Sequence, residues 1–140
     1  MGSGASRKRQ ADDLAAATTT SRIKYRNGRP KVHGDEIIGC FSTSDDTGKV
    51  VAPPGLLYRI VMREKRQWYF YNDTKTYNMV ITGYFGALNI IKALGKAKMW
   101  REMPSGLLIV ELVVPPLQTE PYLEGIVTDG FDLRFRATLV

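Results

Sequence analysis

The chain has 140 residues, with 20 basic and 14 acidic side chains, so its formal charge is +6. This length predicts one domain with a single core. The one cysteine excludes an internal disulfide framework, and with one histidine it supplies no zinc ligand set, so we expect no metal and no other cofactor. Without an 18-residue apolar run or a secretory segment, the sequence predicts an intracellular protein that is soluble or peripheral to a membrane.

The first residues fit the pattern for N-myristoylation, in which Gly2 becomes the new terminus and Ser6 occupies the preferred position. Arg7, Lys8 and Arg9 follow at once. Because one myristoyl chain binds a membrane only marginally, an adjacent basic cluster is the usual second signal. The alternative is that this glycine- and serine-rich start is a cloning leader or an unmodified flexible terminus.

The excess positive charge lies entirely before residue 34, since residues 34–140 hold 12 basic and 12 acidic side chains. Residues 22–31 place five cations around Tyr25, which suits phosphate neutralisation with stacking of one base, or contact with anionic lipid. A solvated linker and a nuclear import signal are the alternatives. The predicted polyanion-binding residues are Arg7, Lys8, Arg9, Arg22, Lys24, Arg26, Arg29 and Lys31. We therefore predict a disordered basic arm over residues 1–34 and a globular domain over residues 35–140.

Several runs rich in branched and aromatic residues predict strands. In the aromatic run, alternation places Trp68 and Phe70 on one face and Tyr69 and Tyr71 on the other. Asp129-Gly130 is a strong hairpin signal. The predicted strands are Glu36–Ser42, Leu56–Met62 and Gln67–Tyr71 (one bent strand or a hairpin), Leu107–Val114, and the two arms of a C-terminal hairpin, Gly125–Thr128 and Phe131–Val140.

The segment Thr76–Lys96 is interpreted as the main helix. At 100° per residue its polar side chains fall in one sector and apolar side chains fill most of the remainder, which predicts a helix covered by a sheet. Gly83 and Gly86 each cost such a helix about 1 kcal/mol. The alternative is a strand over Tyr77–Thr82 paired with Gln67–Tyr71, followed by a helix that starts near Gly83. The predicted fold class is α+β, with an antiparallel or mixed sheet around this helix.

The sequence offers few groups for catalysis, and we predict a protein that is not an enzyme. It has one His, one Cys and no close pair of carboxylates for acid–base chemistry. Self-association is predicted instead, through Phe85 in the polar sector of the predicted helix and Trp100 just beyond it. Burying such exposed rings against another copy would recover apolar area.

The order of elements resembles that of rhabdovirus-type viral matrix proteins. The resemblance rests on the run Leu57–Tyr71, on Thr76-Tyr77 opening a helix, and on the later strand Leu107–Val114. It implies a structural protein of the virion and host cytoplasm that self-associates and binds the inner membrane leaflet and the nucleocapsid RNA. The sequence thus predicts an assembly protein that bridges an anionic membrane or RNA and copies of itself. The alternative is a small nucleic-acid-binding capsid or regulatory protein that uses the same arm.

Overall fold

The computed structural model describes residues 23–40 and 56–140, together with the backbone of Ala17–Thr18. These residues contain ten strands and no helix, so the predicted α+β class is wrong. The strands are β1 Ala17–Thr18, β2 Glu36–Gly39, β3 Leu57–Met62, β4 Gln67–Asn72, β5 Tyr77–Phe85, β6 Ile90–Ala93, β7 Lys98–Arg101, β8 Leu108–Val114, β9 Thr119–Ile126 and β10 Phe131–Leu139.

The described strands form two sheets, and the neighbouring strands are antiparallel in both. One sheet has six strands in the order β1-β2-β3-β4-β9-β6, and the other has four in the order β10-β5-β8-β7. The inner faces pack on each other, since Phe70 of β4 contacts Phe135 of β10 and Trp68 of β4 contacts Phe85 of β5. The architecture is therefore a β-sandwich.

The predicted helix over Thr76–Lys96 is wrong because its first half is a central strand, β5, which pairs with β10 on one side and β8 on the other. Met79, Ile81 and Phe85 point into the core at a spacing of two, which is the period of a strand. The alternative of a strand here is correct in type, but its partner is not Gln67–Tyr71. The second half of the segment turns and forms the short edge strand β6.

The two glycines that weakened the helix interpretation are required by close packing in the sandwich. A Cβ on Gly83 would lie 2.3 Å from the hydroxyl of Tyr122, which donates a 2.7 Å hydrogen bond to the Val110 carbonyl. A Cβ on Gly86 would meet the backbone oxygen of Asp129 at 1.9 Å. Both glycines therefore allow a close approach between neighbouring segments.

Several predicted strands are confirmed within a residue or two. β3 and β4 form a hairpin, and β8 and β10 occupy almost the predicted ranges. The C-terminal hairpin is wrong, because β10 pairs with β5 and the preceding strand β9 pairs with β4 and β6. β9 begins at Thr119, six residues before the predicted first arm of that hairpin. The chain therefore crosses from one sheet to the other at Asp129-Gly130.

The six-stranded sheet is apolar on both faces. Its inner face contributes Leu57 and Phe70 to the main core, and its outer face carries a second cluster with Tyr58 and Tyr71. The predicted alternation is confirmed, since Trp68 and Phe70 face the main core and Tyr69 and Tyr71 face the second cluster. An outer face of this kind needs a cover, and residues 23–35 provide it.

Candidate functional site

Residues 23–35, here called the basic strap, run along the outer face of the six-stranded sheet. Ile23, Tyr25 and Val32 pack on the cluster formed by Ile37, Tyr58, Ile60 and Tyr71. At the far end, the Asp35 amide donates to the Val61 carbonyl at 2.8 Å, and the Arg63 amide donates to the Asp35 carboxylate at 2.6 Å. The strap includes residues assigned to the disordered arm by the sequence, and it lies against the domain.

The near end of the strap is anchored on Asp73, a fully buried carboxylate just after β4. Three consecutive backbone amides donate to it: Arg26 at 2.7 Å, Asn27 at 3.1 Å and Gly28 at 3.1 Å. The Tyr71 hydroxyl donates to the same carboxylate at 2.9 Å, and the Asn27 side-chain amide donates to the Asp73 carbonyl at 2.7 Å. Because four donors surround a carboxylate removed from water, this anchor resists opening.

Three tyrosines pack the same end of the strap against the sheet. The Tyr25 ring stands edge-on to Tyr58 and Tyr71, with centroids 5.0 and 5.6 Å away. Burial, followed by the nearby charge of Asp73, raises the pKa of Tyr58 to about 12. Burial and the hydrogen bond to Asp73 also raise the pKa of Tyr71. Because their pKa values are raised, Tyr58 and Tyr71 are neutral phenols in the folded protein. The cluster therefore packs the strap against the sheet.

Four predicted polyanion-binding residues lie on the strap, and all four are exposed: Lys24, Arg26, Arg29 and Lys31. They alternate with the inward side chains, so a fixed backbone presents them on its solvent side. Residues 23–33 contain these four cations and no acidic residue, so they carry +4 of the net +6. With Asp35 included, the whole strap carries +3, which is half of the net charge. Gly2, Arg7, Lys8, Arg9 and Arg22 lie outside the described residues.

The far end of the strap opens on a shallow cleft of about 410 Å³ beside the β3–β4 hairpin. Lys31 and His33 of the strap line it together with Lys65 of the hairpin, and all three side chains are exposed. Asp35 and Glu64 also line it, so the cleft is mixed in charge. It lies between the strap and the β3–β4 hairpin at one end of the sandwich.

The two residues predicted for self-association are placed differently. Phe85 is fully buried between Trp68, Tyr122 and Phe131, so its prediction as an exposed contact is wrong. The error follows from the helix interpretation, which projected this ring outward. Trp100 is 46 % exposed on the edge strand β7, so its side chain remains available to a partner.

The described residues offer neither an activated cysteine nor a cluster of metal ligands. Burial raises the pKa of the Cys40 thiol to about 11, which disfavours the nucleophilic thiolate. Among residues 23–40 and 56–140, no group of three or more His, Cys, Asp or Glu side chains could hold a metal ion. Nothing in those ranges forms a helix long and apolar enough to cross a membrane.

Sequence reasoning missed the Asp73 anchor. The run Asn72-Asp73-Thr74 reads as turn chemistry, and Asn72 does accept from the Thr74 amide at 3.0 Å. The donors that define the anchor lie 45–47 residues earlier in the chain. Nothing local in the sequence reports that pairing.

The fold and the strap define an antiparallel β-sandwich in which residues 23–35 form a basic cover on one sheet. The chain belongs to the family described as Domain of unknown function (DUF1935), whose model matches residues 25–140. The match begins at Tyr25, so it includes the anchored part of the strap.

Two solved structures from Leishmania major are similar to this chain. The NMR structure of SMP-1 (Small Myristoylated Protein) is 36 % identical, covers 89 % of this chain and 87 % of its own, and has a TM-score of 0.71. A Leishmania major hypothetical protein is 29 % identical, covers 84 % of this chain and 93 % of its own, and has a TM-score of 0.68. No curated protein matches the sequence. These matches give no support to the resemblance to viral matrix proteins, and the helix on which it partly rested is absent from the described residues.

Proposed function

We propose that this protein is a non-enzymatic structural protein of an intracellular membrane surface, anchored by myristoylation of Gly2 and held there by its basic strap. The observation that carries the proposal is the strap itself, with four exposed cations on a backbone fixed by Asp73. Each Lys or Arg near an anionic membrane contributes about 1 kcal/mol of attraction. Acylation supplies only marginal binding alone, so the two signals complement each other.

The acylation part of the proposal rests on the N-terminal sequence and on a relative. Gly2 and Ser6 occupy the positions that the N-myristoylation pattern requires. The similar Leishmania protein is named for being small and myristoylated. Intact mass of the protein from its natural source tests this step directly. A mass without the acyl chain would contradict it.

Anionic lipid is a better candidate ligand than RNA for this strap. Single-stranded nucleic acid is bound by cations together with free aromatic rings on which bases stack. Tyr25 is the aromatic residue of the strap, and its ring is enclosed by Tyr58 and Tyr71. Apart from His33, which is exposed, the strap therefore offers charge to a surface and no free ring on which a base could stack.

The test is neutralisation of the strap by Lys24→Gln, Arg26→Gln, Arg29→Gln and Lys31→Gln together. The anchor uses backbone amides at positions 26 and 28, so these substitutions leave its hydrogen bonds in place. A matched control makes the same charge change elsewhere, by Lys75→Gln, Lys98→Gln, Arg134→Gln and Arg136→Gln, all at exposed positions.

Binding of both variants is measured by co-sedimentation with phosphatidylcholine vesicles, with and without phosphatidylserine, across a salt series. We expect the strap variant to lose most of its binding to the anionic vesicles and the control to retain it. Equal loss in the two variants would mean that only net charge matters. A parallel RNA titration in which the strap variant loses RNA but not vesicle binding would favour the nucleic-acid alternative.

Self-association through Trp100 remains a second proposal, supported by the position of β7. This strand lies at the edge of the four-stranded sheet, and all four of its residues are exposed. An edge strand with an exposed aromatic side chain can pair with another copy. Sedimentation velocity at several concentrations should show weaker association for Trp100→Ser. An unchanged distribution would exclude this contact.

A further inference from the structure

The structure displays two large aliphatic side chains almost completely to solvent, one in the turn after β5 and one at the first residue of β6. Leu88 is 79 % exposed and Ile90 is 84 % exposed. Ile126, 48 % exposed, lines a cleft of about 400 Å³ with both of them. Contiguous exposed apolar side chains are unusual on a monomeric protein and mark contact surfaces. We refer to Leu88, Ile90 and Ile126 as the apolar tip.

The loop that carries the apolar tip is held rigidly by Asn89, which lies between the two exposed residues and is itself 5 % exposed. The Asn89 amide oxygen accepts from the backbone N–H groups of Thr128 at 2.7 Å and Asp129 at 2.8 Å. Its amide nitrogen donates to the carbonyls of Gly86 at 3.2 Å and Gly130 at 3.0 Å. The Leu88 amide donates to the Asp129 carboxylate at 2.8 Å.

These contacts mean that the side chains of Leu88 and Ile90 cannot turn inward without breaking a partly buried hydrogen-bond network. A rigid loop that presents apolar groups loses little conformational freedom when those groups are buried by a partner. The arrangement is therefore preorganised for contact.

The cations beside the apolar tip indicate the kind of partner. Lys65 and Arg66 of the β3–β4 hairpin line the same cleft and are exposed. Glu124 also lines it, but its charge is shared with Lys92 at 3.5 Å, and the hydrogen bond from Gln67 at 2.9 Å, followed by Lys92, lowers its pKa. Apolar groups next to uncompensated cations are complementary to the acyl boundary and headgroups of an anionic bilayer.

A second copy of the chain fits this surface less well. A two-fold contact centred on the cleft would place the same patch on both copies, so that Lys65 and Arg66 would face their own counterparts. Like charges brought together in this way oppose association. The charge pattern therefore favours lipid over self-contact.

We propose that the apolar tip inserts into an anionic membrane, with Lys65 and Arg66 at the headgroups. The inference rests on the proposed membrane function and adds a contact made by the domain itself. Lys65 lines both this cleft and the cleft at the far end of the strap, so the strap and the apolar tip adjoin through this residue.

The test is the double variant Leu88→Ser with Ile90→Ser in the full-length protein. Both side chains are exposed, so the fold should survive the change. Its matched control is Leu139→Ser with Val140→Ser, at residues 73 % and 78 % exposed near the opposite end of the sandwich, where Leu139 pairs with Tyr77. Both are prepared with native Gly2 and with Gly2→Ala, and are measured on phosphatidylcholine vesicles with and without phosphatidylserine.

We expect the tip variant to partition about tenfold more weakly into anionic vesicles, in both acylation states, because two aliphatic side chains no longer leave water. The control should stay within about twofold of the parent. In Leu88→Trp, brominated lipid should quench fluorescence beyond the quenching seen in the parent protein.

Each of the other outcomes overturns the inference, and together they show whether the proposed function fails with it. If the tip variant binds like the parent while Gly2→Ala and the strap variant lose binding, the membrane function stands and tip insertion is wrong. If the parent binds no vesicle at all, both fail. If the tip variant changes only the sedimentation coefficient, the apolar tip is a contact between copies of the chain.

Discussion

Asp73 is the single side chain on which the position of the strap depends most. Four hydrogen-bond donors take the place of water around its carboxylate, and three of them are consecutive backbone amides. This use of one carboxylate resembles capping of a helix, although here the amides belong to an extended segment 45–47 residues away in sequence. The charged cover and the sheet are therefore joined at one residue.

We predict that Asp73→Asn destabilises the domain by roughly 1.5–3 kcal/mol, the size of one hydrogen bond to a charged group. The asparagine side chain replaces one acceptor oxygen with an NH2 group. This group would then face backbone N–H groups that also donate. Urea unfolding measures the change in free energy, and limited trypsin digestion should cut sooner after Lys24 or Arg26. Asp132→Asn is the control, because Asp132 is exposed and contacts Arg134 at the surface. Equal effects of the two substitutions would contradict the anchor.

The tyrosine cluster predicts alkaline sensitivity. The pKa of Tyr58 is raised from 10.0 to about 12 in the folded protein. Between these values the unfolded chain has lost a proton that the folded chain keeps, so the free energy of unfolding falls as pH rises. Tyr58→Phe should make that decline shallower. The two proteins should show a constant difference below about pH 9, where neither state releases the proton.

Thermal melts by circular dichroism across this range provide the measurement. Parallel decline of the two proteins through the window would show that Tyr58 ionises as readily in the folded state as in the unfolded chain.

At the scale of elements, the sequence predicts strands well where apolar residues alternate or run continuously. The sequence recovers β3, β4, β8 and β10, because each of them alternates with the period of a strand or is continuously apolar over its length. β5 is missed because its inward residues Met79, Ile81 and Phe85, together with apolar residues such as Val80 on its other face, also fill most of a helical wheel. The close approaches of Gly83 to Tyr122 and of Gly86 to Asp129 distinguish the strand from a helix. Both join residues that are distant in sequence.

The same limit applies to the candidate site. Composition locates the cations of the strap, since they are clustered in the chain. The sequence does not show that residues 23–35 cover a sheet, because the alternation of Ile23, Tyr25 and Val32 with cations is short and broken by Gly28 and Pro30. Nor does it show the apolar tip, because Leu88 and Ile90 are ordinary core residues in composition. The exposure of Leu88 and Ile90 depends on the hydrogen bonds of Asn89, which hold this part of the chain in place.

The strand interpretation makes a prediction opposite to that of the helix. Phe85 is fully buried, so Phe85→Ala should cost about 3–5 kcal/mol. Leu88 is 79 % exposed, so Leu88→Ala should change the free energy of unfolding by no more than about 0.5 kcal/mol. Chemical denaturation of both variants gives the comparison. A large loss of stability in Leu88→Ala together with a small loss in Phe85→Ala would contradict the strand interpretation and agree with the helix.

At the scale of the whole molecule, charge and apolar exposure are distributed unevenly. Residues 34–140 are neutral overall, while residues 23–33 carry +4 and residues 1–22 carry four cations against two acids. The strap places its charge along one sheet, and the cleft beside Lys65 connects it to the apolar tip. This polarity gives the sandwich one surface suited to an anionic membrane.

The strap also changes how the N-terminal region should be dissected. Deleting residues 1–33 would expose Tyr58, Ile60 and Tyr71, so loss of binding would be confused with loss of folding. Deleting residues 1–16 keeps the strap and β1. It removes Gly2 together with Arg7, Lys8, Arg9 and two aspartates, a net of +1, so +5 of the +6 remains.

We predict that this deletion separates the two membrane signals. The truncated protein should bind anionic vesicles more weakly at every salt concentration, because an acyl chain contributes apolar transfer that salt does not screen. Its affinity should still fall steeply with salt, because the strap cations remain. The acylated strap variant should show the reverse, with residual binding that depends little on salt. Vesicle co-sedimentation over one salt series compares all three proteins, and a truncated protein whose binding no longer responds to salt would place the electrostatic contact in residues 1–16 instead of on the strap.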